Sequence, residues 1–230
     1  MNFEYNMSGL VDKDHIRIAN NSLISRVDEL WVFGKVSDGV LIEIFLAKQR
    51  GIVVRYFIFD SDGSRFEEIT SKDVELEDVS PWMWEWVESG KNLARWHPRL
   101  RFTKHYPVVY PAYSKKNFFW QMHISQFCIE KRRIPLNPFM LFRYFLGDAV
   151  NRKVVYQANR KIIDICDELW VFGDVADGVF KEIIQMKKRG GKVLYFKIND
   201  SPEGVSFRKI QEDQVVLEQE LVDKIERGGI

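Results

Sequence analysis

Cysteine is scarce: Cys128 and Cys166 are the only two in 230 residues. Each lies in an apolar, helix-like run, with no second cysteine or histidine at zinc-ligand spacing. That pattern excludes a disulfide framework and a zinc ribbon, and it reads as two reduced, buried thiols. The start, Met1-Asn2-Phe3-Glu4, lacks the basic and apolar regions of a secretory signal, so a cytoplasmic protein is expected. Long apolar runs are also missing. The nearest, Asn117 to Ile129, is too short and too polar to span a bilayer, and no membrane partner is expected. The chain has little net charge, +1 from 34 basic and 33 acidic residues, which argues against a general polyanion-binding surface. Neither a Walker loop nor G-x-G-x-x-G is present, and no cofactor or metal is expected.

What the chain does have is a repetition. Asp28-Glu29-Leu30-Trp31-Val32-Phe33-Gly34 recurs as Asp167-Glu168-Leu169-Trp170-Val171-Phe172-Gly173, 139 residues later. Without a gap, 23 of 50 positions are identical between Val11–Asp60 and Val150–Asn199. A repeat of this length predicts a tandem duplication whose copies are similar folding units. With 46% hydrophobic residues and 17 phenylalanines, both copies have material for a core.

Within each copy the period alternates between helix and strand. Ile16, Ala19, Leu23, Ile24 and Val27 recur at helical spacing over 11–27. Leu30–Phe33 is a continuous apolar run, as in a strand buried on both faces of a parallel sheet. A helix follows over 37–50, closed by Lys48-Gln49-Arg50-Gly51, and then a strand over Val53–Phe59. The second copy repeats this order over 149–165, 169–172, 177–189 and 192–198. Upstream of it, Asn117–His123 reads as a strand, Ser125–Lys131 as a helix and Ile134–Asn137 as a short strand. The first copy has no counterpart of that material, although Met1, Phe3 and Tyr5 align with Met140, Phe142 and Tyr144. The expected fold is α/β: two tandem Rossmann-like parallel-sheet units, the first N-terminally truncated and the second complete. The expected domains are a truncated unit over 1–80, an aromatic and basic connector over 81–115, and a complete unit over 116–230.

The connector region has two readings. Trp82, Trp84 and Trp86 follow Ser80-Pro81, and 89–129 contains seven Lys or Arg residues and no acid. Such a segment would suit a nucleic-acid adaptor working through 81–120, or tryptophans that pack against both units. Trp31 and Trp170 are expected in the core. His15, His97 and His105 show no partner pattern.

After each central strand comes Asp-Gly-Val-x-x-Glu-Ile: Asp38, Gly39 and Glu43 in the first copy, Asp177, Gly178 and Glu182 in the second. In an open parallel sheet, ligands bind beyond the carboxyl ends of strands, where helices begin. Glycine there admits a ligand to the backbone, and the first helical turn can hold an anion. Equally, the aspartates would serve as simple helix caps with the glutamates on a solvated face. Gly173 ends the second copy's strand. His123 and Ser125 are expected where the crevice opens, and Asn137 at the end of the next strand either bonds a ligand or shapes a turn. Asn20 and Asn159 recur on the helix before the central strand, to tie helix to loop or to touch a ligand.

These residues resemble the nucleoside 2-deoxyribosyltransferase-like superfamily, in which a helix after the central strand carries Ser/Asp-x-Gly-x-x-x-Glu-x-Gly-x-Ala. Ser37, Gly39, Glu43 and Ala47 fit in the first copy, Gly178 and Glu182 in the second. The Asp-Glu-Leu-Trp-Val-Phe-Gly run is similar to a strand in uncharacterised, often phage-borne branches, where acidic and basic residues comparable to Asp148 and Arg152 precede the helix. The resemblance covers about 11–60 and 116–199. It implies an enzyme that cleaves or transfers at an N-glycosidic bond, with Glu182 or Glu43 as nucleophile. Asp177, Gly178, Ser37, Asp38 and Gly39 would line the ligand. The partner would be a nucleoside or nucleotide, and a homo-oligomer in which a second chain completes the first unit is a further expectation. The alternative is a non-catalytic nucleotide-binding protein on the same fold. The chain departs from the pattern at the second glycine, which is Phe45 in one copy and Ile184 in the other, at Ala176 in place of Ser37, and in the glycine-free stretch Trp120–Ser125.

Overall fold

The repeated heptapeptide forms a strand in both places, yet the two strands live in different surroundings. A computed structural model describes residues 13–60, 63, 65–95, 97–101, 105–142, 150–202 and 204–228. They belong to a mixed α/β protein of two compact units, divided between His105 and Tyr106. Among the described residues, no helix is long and apolar enough to cross a membrane.

In the first unit, helix α1 (Lys13–Leu23) leads through a short 3-10 turn, Ile24–Arg26, into strand β1 (Glu29–Phe33). Helix α2 (Asp38–Gln49), strands β2 (Val53–Phe59) and β3 (Phe66–Ile69), and helix α3 (Pro81–Glu88) follow. The sheet order is β1-β2-β3, with β1 and β2 parallel and β3 antiparallel. Strand side chains alternate between faces, and one face carries Leu30, Val32, Val54 and Tyr56 into the core. There they meet Leu41, Ile44 and Phe45 of α2 and Val87 of α3. Trp84 and Trp86 also pack on this core, and Trp84 sets its ring edge against Tyr56 at 6.0 Å, while Trp82 is exposed. The segment 81–115 is divided between the units, with α3 in the first and the next strand in the second.

That strand, β4 (Val108–Tyr113), is followed by a 3-10 segment (Lys115–Trp120), helix α4 (Gln121–Glu130), strand β5 (Ile134–Pro135) and a single-turn helix α5 (Pro138–Leu141). Helix α6 (Arg152–Ile165), strand β6 (Glu168–Phe172), helix α7 (Asp177–Lys188), strands β7 (Lys192–Ser201) and β8 (Gly204–Ile210), and helix α8 (Gln219–Glu226) complete the second unit. Its sheet order is β5-β4-β6-β7-β8, parallel except for β8. The chain leaves β4 toward β5 on one side and returns to β6 on the other, so the strand order reverses at β4.

The expectation of a first strand at Asn117–His123 is corrected: those residues are 3-10 and α-helical, and the strand lies ten residues earlier. Pro107 and Pro111 speak against a strand there. The fold accommodates Pro111 because β5 pairs only with Val108 and Val109, leaving β4 bordered on one side from Tyr110 onward. The expectation that Leu30–Phe33 is covered on both faces is also corrected. Trp170 is 4% exposed and β6 is buried throughout, whereas Trp31 is 48% and Phe33 42% exposed. Identical residues differ in burial because Phe127 of α4 covers Trp170 and Phe172 and β4 flanks β6, whereas among the described residues no helix covers that face of β1 and no strand flanks its outer edge.

Candidate functional site

Helix α7 buries Val179, Ile183 and Met186 against the sheet, and Glu182 falls beside that stripe. Across from it, Tyr110 stands in the middle of β4 with no exposed surface. The Tyr110 hydroxyl donates to Glu182 Oε1 at 2.7 Å. Burial disfavours the ionised carboxylate, and its pKa is pushed up to about 7 even though the tyrosine donation pulls it down. Burial and the adjacent Glu182 in turn hold the Tyr110 phenol protonated, well above its usual range. The two helices over this sheet face are fastened together. Gln185 Nε2 donates to the Arg160 carbonyl and to Asp164, and Arg189 donates to the carbonyls of Ile163 and Cys166. A carboxyl that titrates near neutrality, held by one oriented donor, can act as a nucleophile or as a proton carrier.

Beyond the carboxyl ends of β4 and β6 lies a polar rim. Gly173 has φ +74°, a left-handed value that favours glycine, and its Cα approaches Asn117 so closely that a Cβ would lie 2.6 Å from Asn117 Nδ2. Asn117 Nδ2 donates to the Phe172 carbonyl at 3.4 Å. Asp177 Oδ2 pairs with Lys181 at 2.9 Å and Lys224 at 3.0 Å, which hold its carboxyl below the usual range. Glu218 Oε2 pairs with Lys116 at 2.9 Å. Among the described residues, Asp177 Oδ1 and Asn159 Oδ1 are buried acceptors without a hydrogen-bond partner. Gly178 is exposed.

Asn137 and Ser125 come together, but they satisfy each other. Asn137 Oδ1 accepts from the Tyr113 hydroxyl at 2.9 Å and from the Phe139 amide at 3.2 Å. Its Nδ2 donates to Ser125 Oγ at 3.1 Å and to the Gln121 carbonyl at 3.5 Å. All four positions of the amide are thus used to lock β4, α4 and α5 together. Ser125 sits within α4 rather than at a strand end, and His123 is exposed on the same helix with its ring edge on Trp120. Asp148 lies outside the described residues. Arg152 is described as the first residue of α6, and its side chain lies outside them.

The first unit arranges the matching residues differently. Ser37 precedes α2 as its N-cap position, without a side-chain cap bond. Asp38 Oδ1 lies 2.7 Å from His97 Nε2, and the Asp38 amide donates to Asp78 at 2.6 Å. Gly39 is half-buried. Glu43 is half-buried and its pKa is raised by burial, but among the described residues no strand stands outside β1 to place a tyrosine against it. Two contributors are not evident in the sequence. His97 is read as partnerless, and Tyr110 is hidden by the misplaced strand. The apolar run Val108–Tyr113 is the signal that would have found the latter.

A domain of unknown function, DUF7768, matches residues 110–196, a stretch that runs from Tyr110 through Glu182. No curated protein matches. Among solved structures, a 2-desoxiribosyltransferase from Leishmania mexicana is 14% identical over 52% of this chain and 97% of that chain, with a TM-score of 0.34. At that score the likeness fixes neither the fold nor the chemistry, and the match that carries residues of the candidate site is to the domain of unknown function.

Proposed function

We propose that the second unit acts on the N-glycosidic bond of a nucleoside or nucleotide, with Glu182 as nucleophile. The observation that carries the reading is the Tyr110–Glu182 pair, in which a half-buried carboxyl on the helix with the superfamily-like motif is held by one donor from β4. Ionised Glu182 would attack the anomeric carbon. The carbon–nitrogen bond breaks, its electron pair goes to the departing base, which takes a proton from solvent, and water or a second base, losing a proton to solvent, then displaces the carboxylate from the anomeric carbon. In this reading the two units are duplicated copies, and of the two motif glutamates only Glu182 has, among the described residues, a tyrosine hydroxyl on its carboxyl. A second reading, binding without turnover, is favoured by one feature: a half-buried Ile184 stands two residues after Glu182, where the motif has glycine.

The test is incubation with nucleosides, nucleotides and NAD, with free base read by mass spectrometry, for the native chain, Glu43→Gln and Glu182→Gln. Release of base that Glu182→Gln abolishes and Glu43→Gln leaves intact supports the proposal. Retention of an unaltered ligand without release supports the binding reading, and neither outcome leaves both without support.

A further inference from the structure

The aromatic side chains on the face of the first sheet opposite its core form a preshaped cup. Phe33 stacks on Phe57 at 5.0 Å and 19°, Trp31 tilts on Phe57 at 5.2 Å, and Phe66 stands edge-on to Phe33 at 5.4 Å. The second unit repeats this geometry with the same residue types. Phe172 stacks on Phe196 at 5.1 Å and 16°, Trp170 tilts on Phe196 at 5.0 Å, and Phe207 stands edge-on to Phe172 at 5.3 Å.

In the second unit the cup is filled. Phe127 of α4 contacts all four rings, at 6.0 Å from Trp170, 6.1 Å from Phe172, 5.3 Å from Phe196 and 5.1 Å from Phe207. In the first unit Trp31, Phe33, Phe59 and Phe66 remain 48, 42, 56 and 57% exposed. The gap continues to the strand end. Gly173 is pressed by Asn117, whereas a Cβ on Gly34, at a matching φ of +72°, would meet nothing within 4 Å.

We propose that the first unit is a docking site for a protein segment built like β4 and α4: an apolar strand that adds to the edge of β1 left unpaired among the described residues, followed by a helix that lowers an aromatic side chain into the cup. Area and the matching aromatic geometry of the two units select this occupant, and the charges on the face exclude a polyanion. The exposed parts of the four aromatics amount to on the order of 400 Å², about half of what one partner buries in a stable interface. Two copies laid cup to cup would fall short, whereas a strand on the β1 edge adds main-chain pairing and further area. In the second unit Arg133, just beyond α4, pairs with Glu168 at 3.3 Å and lies over Trp170. In the first unit Arg55 takes that place from within the sheet, 3.6 Å from Glu29 and 5.1 Å over Trp31, and it also pairs with Glu68. The occupant therefore need bring no basic group, and two glutamates against one arginine disfavour a nucleic-acid strand on this face.

The probe is a synthetic peptide of residues 106–136 of this chain, titrated against the full-length protein by fluorescence anisotropy. Saturable binding, weakened about tenfold or more by Phe127→Ala in the peptide and lost on Phe33→Glu in the protein, is the expected result. Circular dichroism of the Phe33→Glu protein confirms that it folds, and the peptide variant reports independently of it. Absence of binding, or equal binding of the Phe127→Ala peptide, overturns the proposal. So does a dimer by light scattering that Phe33→Glu disperses, which assigns the face to a second copy. Tight binding of oligothymidine abolished by Phe33→Glu assigns it to nucleic acid and overturns the proposal as well.

Discussion

Glu182 makes the fold sensitive to pH whatever its role. Its carboxyl titrates near 4.5 in the unfolded chain and about 7 in the folded one. A raised carboxyl pKa means that the folded state holds the proton more tightly. Its contribution is therefore fully present below about pH 4.5 and is lost as pH rises to and through 7. The shift corresponds to at most about 3 kcal/mol. Gln accepts the same Tyr110 hydrogen bond and carries no charge, so Glu182→Gln should match the native protein in urea at pH 5 and exceed it at pH 8. Equal midpoints at pH 8 would mean that the carboxyl is not desolvated. Tyr110→Phe moves the same equilibrium in the other direction. The tyrosine donation favours the carboxylate, and without it the pKa climbs further. If Glu182 is the nucleophile, the rising limb of kcat/KM against pH should shift upward in Tyr110→Phe; a limb that stays in place would detach the tyrosine from the chemistry.

At the scale of elements, the same glycine turn tests what stands beyond the strand. Gly34 and Gly173 share the left-handed conformation, so Gly→Ala costs each roughly 1 kcal/mol in backbone strain. At Gly173 the new methyl also displaces Asn117 and its bond to the Phe172 carbonyl, adding about 1 kcal/mol. Thermal unfolding should show Gly173→Ala as the more damaging change, and equal losses would mean that the Asn117 contact contributes nothing. The repeat and its helix–strand alternation were legible in the sequence because period and identity agreed over 11–60 and 150–199. Strand β4 was not legible, since two prolines masked it and its tolerance of them depends on how far β5 extends. The Asp38–His97 pair was equally hidden, as 59 residues separate partners that only the folded chain brings within 2.7 Å. Ser125 and Asn137 are each expected near the crevice from separate elements, but sequence does not reveal that they saturate one another.

For the whole molecule, one sequence repeated in two settings gives an internal control on what burial contributes. The strand Glu-Leu-Trp-Val-Phe pairs with its neighbour in the same register in both units, Phe33 opposite Phe57 and Phe172 opposite Phe196. Local propensity and direct pairing are therefore matched, and the difference lies in the covering layer. The second sheet has helices on both faces and β4 along β6. Among the described residues, the first has one covered face and β1 at its edge. Opening free energy follows buried apolar contact. Leaving Trp31 and Phe33 about half uncovered forgoes roughly 1–2 kcal/mol per side chain relative to their buried counterparts. Hydrogen exchange read by mass spectrometry should thus find amides of 29–33 and 53–57 exchanging well before those of 168–172 and 192–196. The gap should narrow when the 106–136 peptide is bound, because strand addition protects β1 and the inserted aromatic dries the cup. Equal protection in the free protein would show that pairing alone sets the stability of these strands, and that the uncovered face costs the first unit nothing.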